Sequence, residues 1–336
     1  MASSSNFITF FVLSISLCVK QYLCAEYPVG PRCQIKHSIN DLSKEDLLKY
    51  GQLEAETHLR DAVKNILIPR VVGTDGHKQV RKYISDSLKQ MEWSVEYDTF
   101  EATVPILDDV YFHNIIAKLN PKAERFLVLT CHYDSKYKVH TTLVGTLDAV
   151  PCAMLLNMAH VLQAALNPFR KTELSLMFVF FDGEESPDDY NPLGFPRGRN
   201  HLADGWQENG ILNKLDILVN LDLIGLADTT IYSYFANTEA LFLRFIALEK
   251  RLANAKMLHS CKNPKRFFET GGISSHHLKG DPFLKEKVPI LHLRPKSISL
   301  HTQDDNESAI DYDATEDISR IIRLFIIEYL FGGIKK

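Results

Sequence analysis

Neither sign of charge dominates this sequence. Its 38 Lys and Arg stand against 42 Asp and Glu, for a formal net charge of −4 in 336 residues. No basic patch stands out, which argues against nucleic acid as a partner. No internal repeat and no low-complexity linker divides the chain, so one large α/β domain over residues 26–336 is the economical reading. After the first 25 residues no segment is long and apolar enough to span a membrane. Cysteine is scarce, with six residues in all, so a disulfide-built scaffold is excluded.

The first 25 residues differ from the rest. Phe7 to Val19 is a short apolar run, too short for a comfortable transmembrane span. It fits a signal peptide cleaved after Leu23-Cys24-Ala25. The leader has no Lys or Arg before that run, which keeps an uncleaved signal anchor as the alternative. Export places the mature chain in the secretory lumen or outside the cell, free of the membrane, where disulfides persist. Cys33, Cys131, Cys152 and Cys261 remain after cleavage. Cys131 ends a strand-like run and Cys152 opens a helix-like one. Both fall near one sheet edge and are expected to pair, a loop closure of about 3 kcal/mol in the chain-entropy account. A Cys33–Cys261 pair stays open. Asn306-Glu-Ser308 is a glycosylation sequon.

Strand-like and helix-like stretches alternate through the chain. Helical spacing runs over Leu42–Ile68, His77–Met91, Ala149–Ala165, Glu239–Ala255 and Ile318–Leu330. Strand patterns fall at Ser94–Thr103, Tyr111–Leu119, Arg125–Thr130, Leu174–Phe181, Ile217–Ile224 and Val288–Leu293, with an edge strand at Ile231–Phe235. This alternation predicts an α/β/α sandwich around a mixed, mostly parallel, twisted sheet. Leu174–Phe181 is apolar almost throughout and rich in Phe, the pattern of a strand buried on both faces.

Polar residues collect just beyond these strands, where open α/β sheets place their ligand sites. His132-Tyr-Asp134 follows one strand, and Glu184 and Glu185 follow the Phe-rich one. Asp148 precedes a helix, and His301 follows the last strand. Asp222 falls inside a buried strand, where a carboxylate requires a partner or a metal. Each residue alone has an ordinary structural explanation. Asp148 would serve as a helix N-cap, and a lone histidine is usually a hydrogen-bonded one. Together they point to a hydrolytic-type zinc site, because carboxylate and imidazole suit zinc and three protein ligands leave one position for substrate.

An ordered set of motifs carries a resemblance. It comprises Cys131-His-Tyr-Asp-Ser-Lys136, Ala149-Val-Pro-Cys-Ala-Met154, Phe180-Phe-Asp-Gly-Glu-Glu185, Asn200-His-Leu-Ala203, Leu221-Asp-Leu-Ile-Gly225, Val288-Pro-Ile-Leu-His-Leu293 and His301-Thr-Gln-Asp-Asp-Asn-Glu307. The set resembles the secreted glutaminyl-peptide cyclotransferases, and the match extends to the C-terminus. The resemblance implies a zinc-aminopeptidase-like fold with a single zinc ion. It implies cyclisation of N-terminal glutamine to pyroglutamate with loss of ammonia, and hence peptide or protein substrates that begin with Gln. A monomer is expected. By position, Asp148, Glu185 and His301 become the zinc ligands, Glu184 the acid/base, Asp222 its carboxylate partner and His292 a pocket residue. The resemblance also supports the Cys131–Cys152 bridge.

Several positions depart from that pattern. In Thr146-Leu-Asp-Ala-Val-Pro-Cys152 the Asp is one residue nearer the Cys, so Leu147 holds the usual ligand position. His276 stands where the family has a second proton-network carboxylate. Tyr190 and Leu300 replace two pocket tryptophans, and the loop from His292 to His301 is short. These changes predict weak cyclisation that His276→Asp improves. Two other readings follow from the same residues. One is a two-zinc aminopeptidase built on His132, Asp148, Glu185, Asp222 and His301. The other is a secreted binding protein that has lost its chemistry.

Overall fold

The computed structural model describes residues 37–104, 108–137, 144–185, 197–259, 266–271, 280–295 and 306–333. Helix α1 spans Lys44–Gly51 and α2 spans Glu56–Ile66. The single helical stretch expected over Leu42–Ile68 is therefore two helices. Side chains from elsewhere take the carbonyls at the break: Arg323 donates to the Leu53 carbonyl and Asn157 to that of Ala55. Helix α3, Asp75–Gln90, starts at Thr74, whose hydroxyl accepts the His77 N–H.

Strands β1 (Ser94–Val104) and β2 (Asp108–Lys118) pair antiparallel. Strand β3 is Arg125–His132, followed by helix α4, Thr146–Val161. All eight residues of β4, Leu174–Phe181, are buried, as its unbroken apolar run requires. Helix α5 is Arg197–Glu208, β5 is Leu215–Leu221 and β6 is Ile231–Tyr232. Helix α6 (Glu239–Asn254), β7 (Phe268–Glu269), β8 (Ile290–Leu293) and helix α7 (Tyr312–Gly332) complete the order.

The main sheet runs β1-β2-β4-β3-β5-β8. Strand β2 meets β4 antiparallel, whereas β4, β3, β5 and β8 are mutually parallel. Four C-terminal strand ends therefore share one edge. Alternate residues of each strand face opposite layers. Leu127 and Leu129 of β3 and Leu176, Phe178 and Phe180 of β4 share a core with helices α1 to α4, α6 and α7. Val128, Met177, Val179 and Phe181 share another with Leu202, Ala203 and Trp206 of α5. The result is the expected α/β/α sandwich on a mixed, mostly parallel sheet.

Two strand expectations change. Strand β5 stops at Leu221, which leaves Asp222 just past the strand and not inside it. The edge strand expected over Ile231–Phe235 is two residues long and pairs parallel with β7 in a separate small sheet. Helix α5 was not legible at all. Its sequence carries Gly198 and Gly205, and its helicity rests on burying Leu202, Ala203 and Trp206. Among the described residues no single helix is long and apolar enough to cross a membrane.

Candidate active site

The paired glutamates hang from a frame of buried polar groups. Strands β3 and β4 run in register to His132 opposite Phe181. Beyond that point the Tyr133 N–H donates to the Phe181 carbonyl at 3.0 Å. Asp134, fully buried, then accepts the backbone N–H of Glu184 at 3.2 Å and of Glu185 at 2.9 Å. Burial alone would raise the Asp134 carboxyl, but hydrogen bonds from His132 and these two amides hold it below the usual range. Asp182 anchors the preceding residue, contacting the His77 ring at 2.8 Å and accepting the His113 N–H at 2.7 Å and the Tyr133 hydroxyl at 3.1 Å. Between them Gly183 turns with φ +63°, and a Cβ there would overlap the Phe112 ring.

Helix α4 brings the next carboxylate. Asp148 lies in the first turn of the helix and not before it; Gly145 occupies the N-cap in a left-handed conformation. A Cβ on Gly145 would sit 2.7 Å from Asp148 Oδ2, so the approach of backbone to carboxylate needs glycine. Arg70, wholly buried, donates to the carbonyls of Tyr133 at 2.7 Å and Gly145 at 2.9 Å, and so fastens this helix start to the end of β3. The Cys131–Cys152 disulfide, with Cα atoms 5.8 Å apart, makes a second fastening. Leu147 is buried, and a Cβ on Gly225 would come 3.5 Å from its Cδ2. The one-residue shift in the motif is thus absorbed at the helix start: Leu147 packs inward and Asp148 faces the site.

Asp148 meets two other ligand-type residues. Ligand atoms of His132, Asp148 and Asp222 all lie within 4.8 Å of one another. His132 Nε2 is 3.5 Å from Asp148 Oδ1, while its Nδ1 is 3.3 Å from Asp134. Burial disfavours the imidazolium, but these two aspartates outweigh it and hold the His132 pKa well above its ordinary value. Asp222 sits beside Leu223, a non-glycine residue at φ +56° that turns the chain directly after β5. Its Oδ2 is 3.3 Å from both His292 Nε2 and Arg294 Nε. Burial opposes ionisation, yet the hydrogen bond with His292 and the charge of Arg294 keep Asp222 far below the usual carboxylate range.

The two glutamates are set differently. Burial pushes Glu185 up to about 8, assisted by the charge of Asp148, with Lys136 Nζ 3.9 Å away. Burial also raises Glu184, opposed by Arg199, whose Nε lies 3.3 Å from its carboxylate. Asp148 itself is 2 % exposed, and among the described residues neither of its side-chain oxygens has a hydrogen-bond partner, His132 Nε2 at 3.5 Å being its charged neighbour. A buried carboxylate without donors is costly. Together with imidazole and carboxylate neighbours, that oxygen pair fits a zinc-type cation.

Of the residues expected at this site, Asp148, Glu184, Glu185, Asp222 and His292 converge on the shared strand edge. Tyr190, His276, Leu300 and His301 lie outside the described residues, as do Cys33 and Cys261. Three contributors carried no assigned role beforehand. Asp134 is the amide acceptor for both glutamates, and its place in the His-Tyr-Asp motif was the available signal. Arg199 and Asn220 had no signal, since neither carries a motif recognisable at this site.

Peptidase family M28 matches residues 114–326 of the chain. A zinc-dependent exopeptidase from Parabacteroides distasonis shares the fold, with a TM-score of 0.61 and 17% identity over 86% of this chain and 99% of that one. The class defined by fold and site is thus the M28 peptidase-like α/β/α enzymes. Within that class the similarity narrows. Glutaminyl-peptide cyclotransferase of Drosophila melanogaster is 46% identical over 89% of this chain and 88% of its own length. That of Bos taurus is 36% identical over 80% of each. The crystal structure of Macrostomum lignano glutaminyl cyclase superposes with a TM-score of 0.81 at 30% identity, over 90% of this chain and 98% of that one. The chain belongs to the glutaminyl-peptide cyclotransferase family of enzymes.

Proposed function

We propose that this enzyme cyclises the N-terminal glutamine of peptides and proteins to pyroglutamate, releasing ammonia, with one zinc ion held by Asp148, Glu185 and His301. The observation that carries the reading is the buried Asp148 carboxylate, which has no hydrogen-bond partner among the described residues and stands beside a Glu184–Glu185 pair pinned by Asp134. Bound zinc supplies Lewis acidity toward the side-chain amide carbonyl of the substrate. The substrate's own α-amine is the nucleophile, so no side chain of this chain need attack. A near-attack pose of amine and amide at the strand edge would supply part of the acceleration. Glu184 takes the proton that the amine loses and delivers it to the departing ammonia. Its burial raises its pKa, which suits a group that must both accept and donate. Asp222, fixed by His292 and Arg294, keeps a permanent negative charge close by.

One observation favours a second reading. His132, Asp148 and Asp222 form a ligand-type group of their own, as a two-zinc aminopeptidase would require. The test is incubation of purified protein with a Gln-initiated peptide and with an aminoacyl anilide, alongside elemental analysis. Loss of one ammonia from the peptide with one zinc per chain supports cyclisation. Anilide hydrolysis with two zinc ions per chain overturns it. We also propose that the protein acts in the secretory lumen or outside the cell, the compartment in which the Cys131–Cys152 bridge persists.

A further inference from the structure

Arg199 lies in the first turn of α5, a helix that the sequence did not announce. Its side chain is 5% exposed. Every nitrogen of its guanidinium has a partner. Nε lies 3.3 and 3.4 Å from the two carboxylate oxygens of Glu184. Nη1 donates to Asp281 Oδ2 at 3.1 Å, and Nη2 donates to Asn220 Oδ1 at 3.1 Å. The plane also lies 4.3 Å from the Phe181 ring.

The partners are themselves fixed. Asp281 accepts the Phe283 and Leu284 N–H groups through its other oxygen, at 2.9 and 3.2 Å. Asn220 accepts the Thr130 hydroxyl at 2.7 Å and touches His292 Nε2 at 3.0 Å. Helix α5 is clamped as well. The Arg197 and Gly198 N–H groups donate to the carbonyls of Gly183 and Asp182, and a Cβ on Gly198 would overlap the Asp182 carbonyl. The guanidinium therefore cannot turn without breaking contacts to three segments at once.

We propose that Arg199 is a positioning residue that fixes the carboxylate of Glu184; this rests on the reading of Glu184 as the proton carrier of the cyclisation. A planar fork serves three acceptors in one orientation, and a lysine ammonium, a point charge on a flexible stem, does not reproduce that. A purely structural arginine would stabilise the fold without affecting the chemical step. The geometry gives Arg199 a different task, because the acceptor that it holds belongs to the reacting centre and, among the described residues, is otherwise pinned through its backbone N–H.

The experiment compares wild type, Arg199→Lys and Arg199→Ala on a Gln-initiated peptide, with zinc content and folded fraction measured for each. A small misplacement of a catalytic group costs up to about 100-fold, so kcat per folded molecule should fall about 10- to 100-fold in both variants. KM should stay within about threefold and zinc content should not change, as expected for an interaction made in the transition state. Added guanidinium should restore part of kcat in Arg199→Ala and none in Arg199→Lys. Wild-type kcat in either folded variant overturns the proposal, as does a loss of rate that only tracks the loss of folded protein.

A melting-temperature cycle gives a readout that is independent of turnover. It uses wild type, Arg199→Lys, Glu184→Gln and the double variant. Arg199→Lys should lower Tm more when Glu184 is present than when it is Gln. Additive shifts overturn the proposed pairing even in an active enzyme. Absence of ammonia release from wild type removes the cyclisation reading, and non-additive shifts would then still uphold Arg199 as the residue that fixes Glu184.

Discussion

Two regions of this molecule bury charged side chains, and they treat them in opposite ways. Helix α7 carries Glu316, Arg320, Arg323 and Glu328 in its buried stretch. Glu328 accepts the Leu42 N–H at 3.1 Å through one oxygen and Arg244 at 2.7 Å through the other, with Arg251 3.3 Å away. Glu316 is paired with both Arg320 and Arg323. Carboxylate is matched there by guanidinium, and the product is a helix bolted to the N-terminal segment and to α6. At the C-terminal strand edge the balance fails. Asp134, Asp148, Glu184, Glu185 and Asp222 stand against His132, Lys136, Arg199 and Arg294, and among the described residues the Asp148 oxygens have no hydrogen-bond partner, His132 Nε2 standing 3.5 Å away. A matched cluster does the work of stability. An unmatched one marks a place where another cation belongs.

The sharpest way to break that contrast is to remove the unmatched carboxylate. Asp148→Asn should lose zinc and cost about 1,000-fold or more in turnover, since a preorganised electrostatic group of this kind is worth 10²–10³ or above. In chelator-treated protein the same change should move the melting temperature little, because the cost of burying the carboxylate and its attraction to His132, 3.5 Å away, disappear together. A markedly lower Tm in the chelated variant would show that Asp148 is matched after all.

The glutamate pair divides the contrast more finely. Glu184→Gln should keep zinc and lose about 10²–10⁴ in kcat, the usual worth of general acid–base catalysis. Glu185→Gln should lose zinc affinity, because a neutral amide replaces an anionic ligand. Equal zinc retention in the two would remove the ligand assignment of Glu185. Zinc loss on His132→Gln with retention on Glu185→Gln would move the ion onto the His132–Asp148–Asp222 group.

On the matched side, Glu328→Ala leaves Arg244 and Arg251 without their carboxylate. Breaking a buried pair from one side costs about 3 kcal/mol, read by urea unfolding with or without zinc, and activity of the folded fraction should not change. A loss below the error of the extrapolation would demote this cluster to a solvated one.

Glu249 is the intermediate case and gives the smallest effect. It is a buried carboxylate on α6 whose partners are the backbone N–H groups of Phe267, at 2.6 Å, and Phe268, at 3.2 Å. Burial outweighs these donors and pushes its carboxyl from 4.5 up to about 7. The folded state therefore holds this proton more tightly than the unfolded chain. Its contribution to stability is complete below about pH 4.5 and is lost as pH rises through about 7. Melting temperature should decline across that window in wild type, and Glu249→Gln should flatten the decline. An unchanged slope would assign it to other groups.

The sequence by itself determined the architecture and the chemical inventory. A buried parallel strand needs an unbroken apolar run, so Leu174–Phe181 was legible as the centre of a sheet and Glu184–Glu185 as residues at its edge. Alternation of strand and helix then placed His132, Asp148 and Asp222 at neighbouring ends. The tertiary structure alone decided how those ends meet. Strand β5 stops one residue before Asp222 because the Leu223 turn takes the chain out of the sheet. Asp148 lies inside α4, where the left-handed Gly145 and the buried Arg70 set the helix start, so that Asp148 meets His132 and Asp222 although Leu147 holds the usual ligand position in the motif. Helix α5 exists because it buries Leu202, Ala203 and Trp206, and only through it does Arg199 reach Glu184. Local periodicity reports which face of an element is buried. It does not report which distant residue supplies the donor for a given carboxylate, since that contact is fixed by packing between segments far apart in the chain.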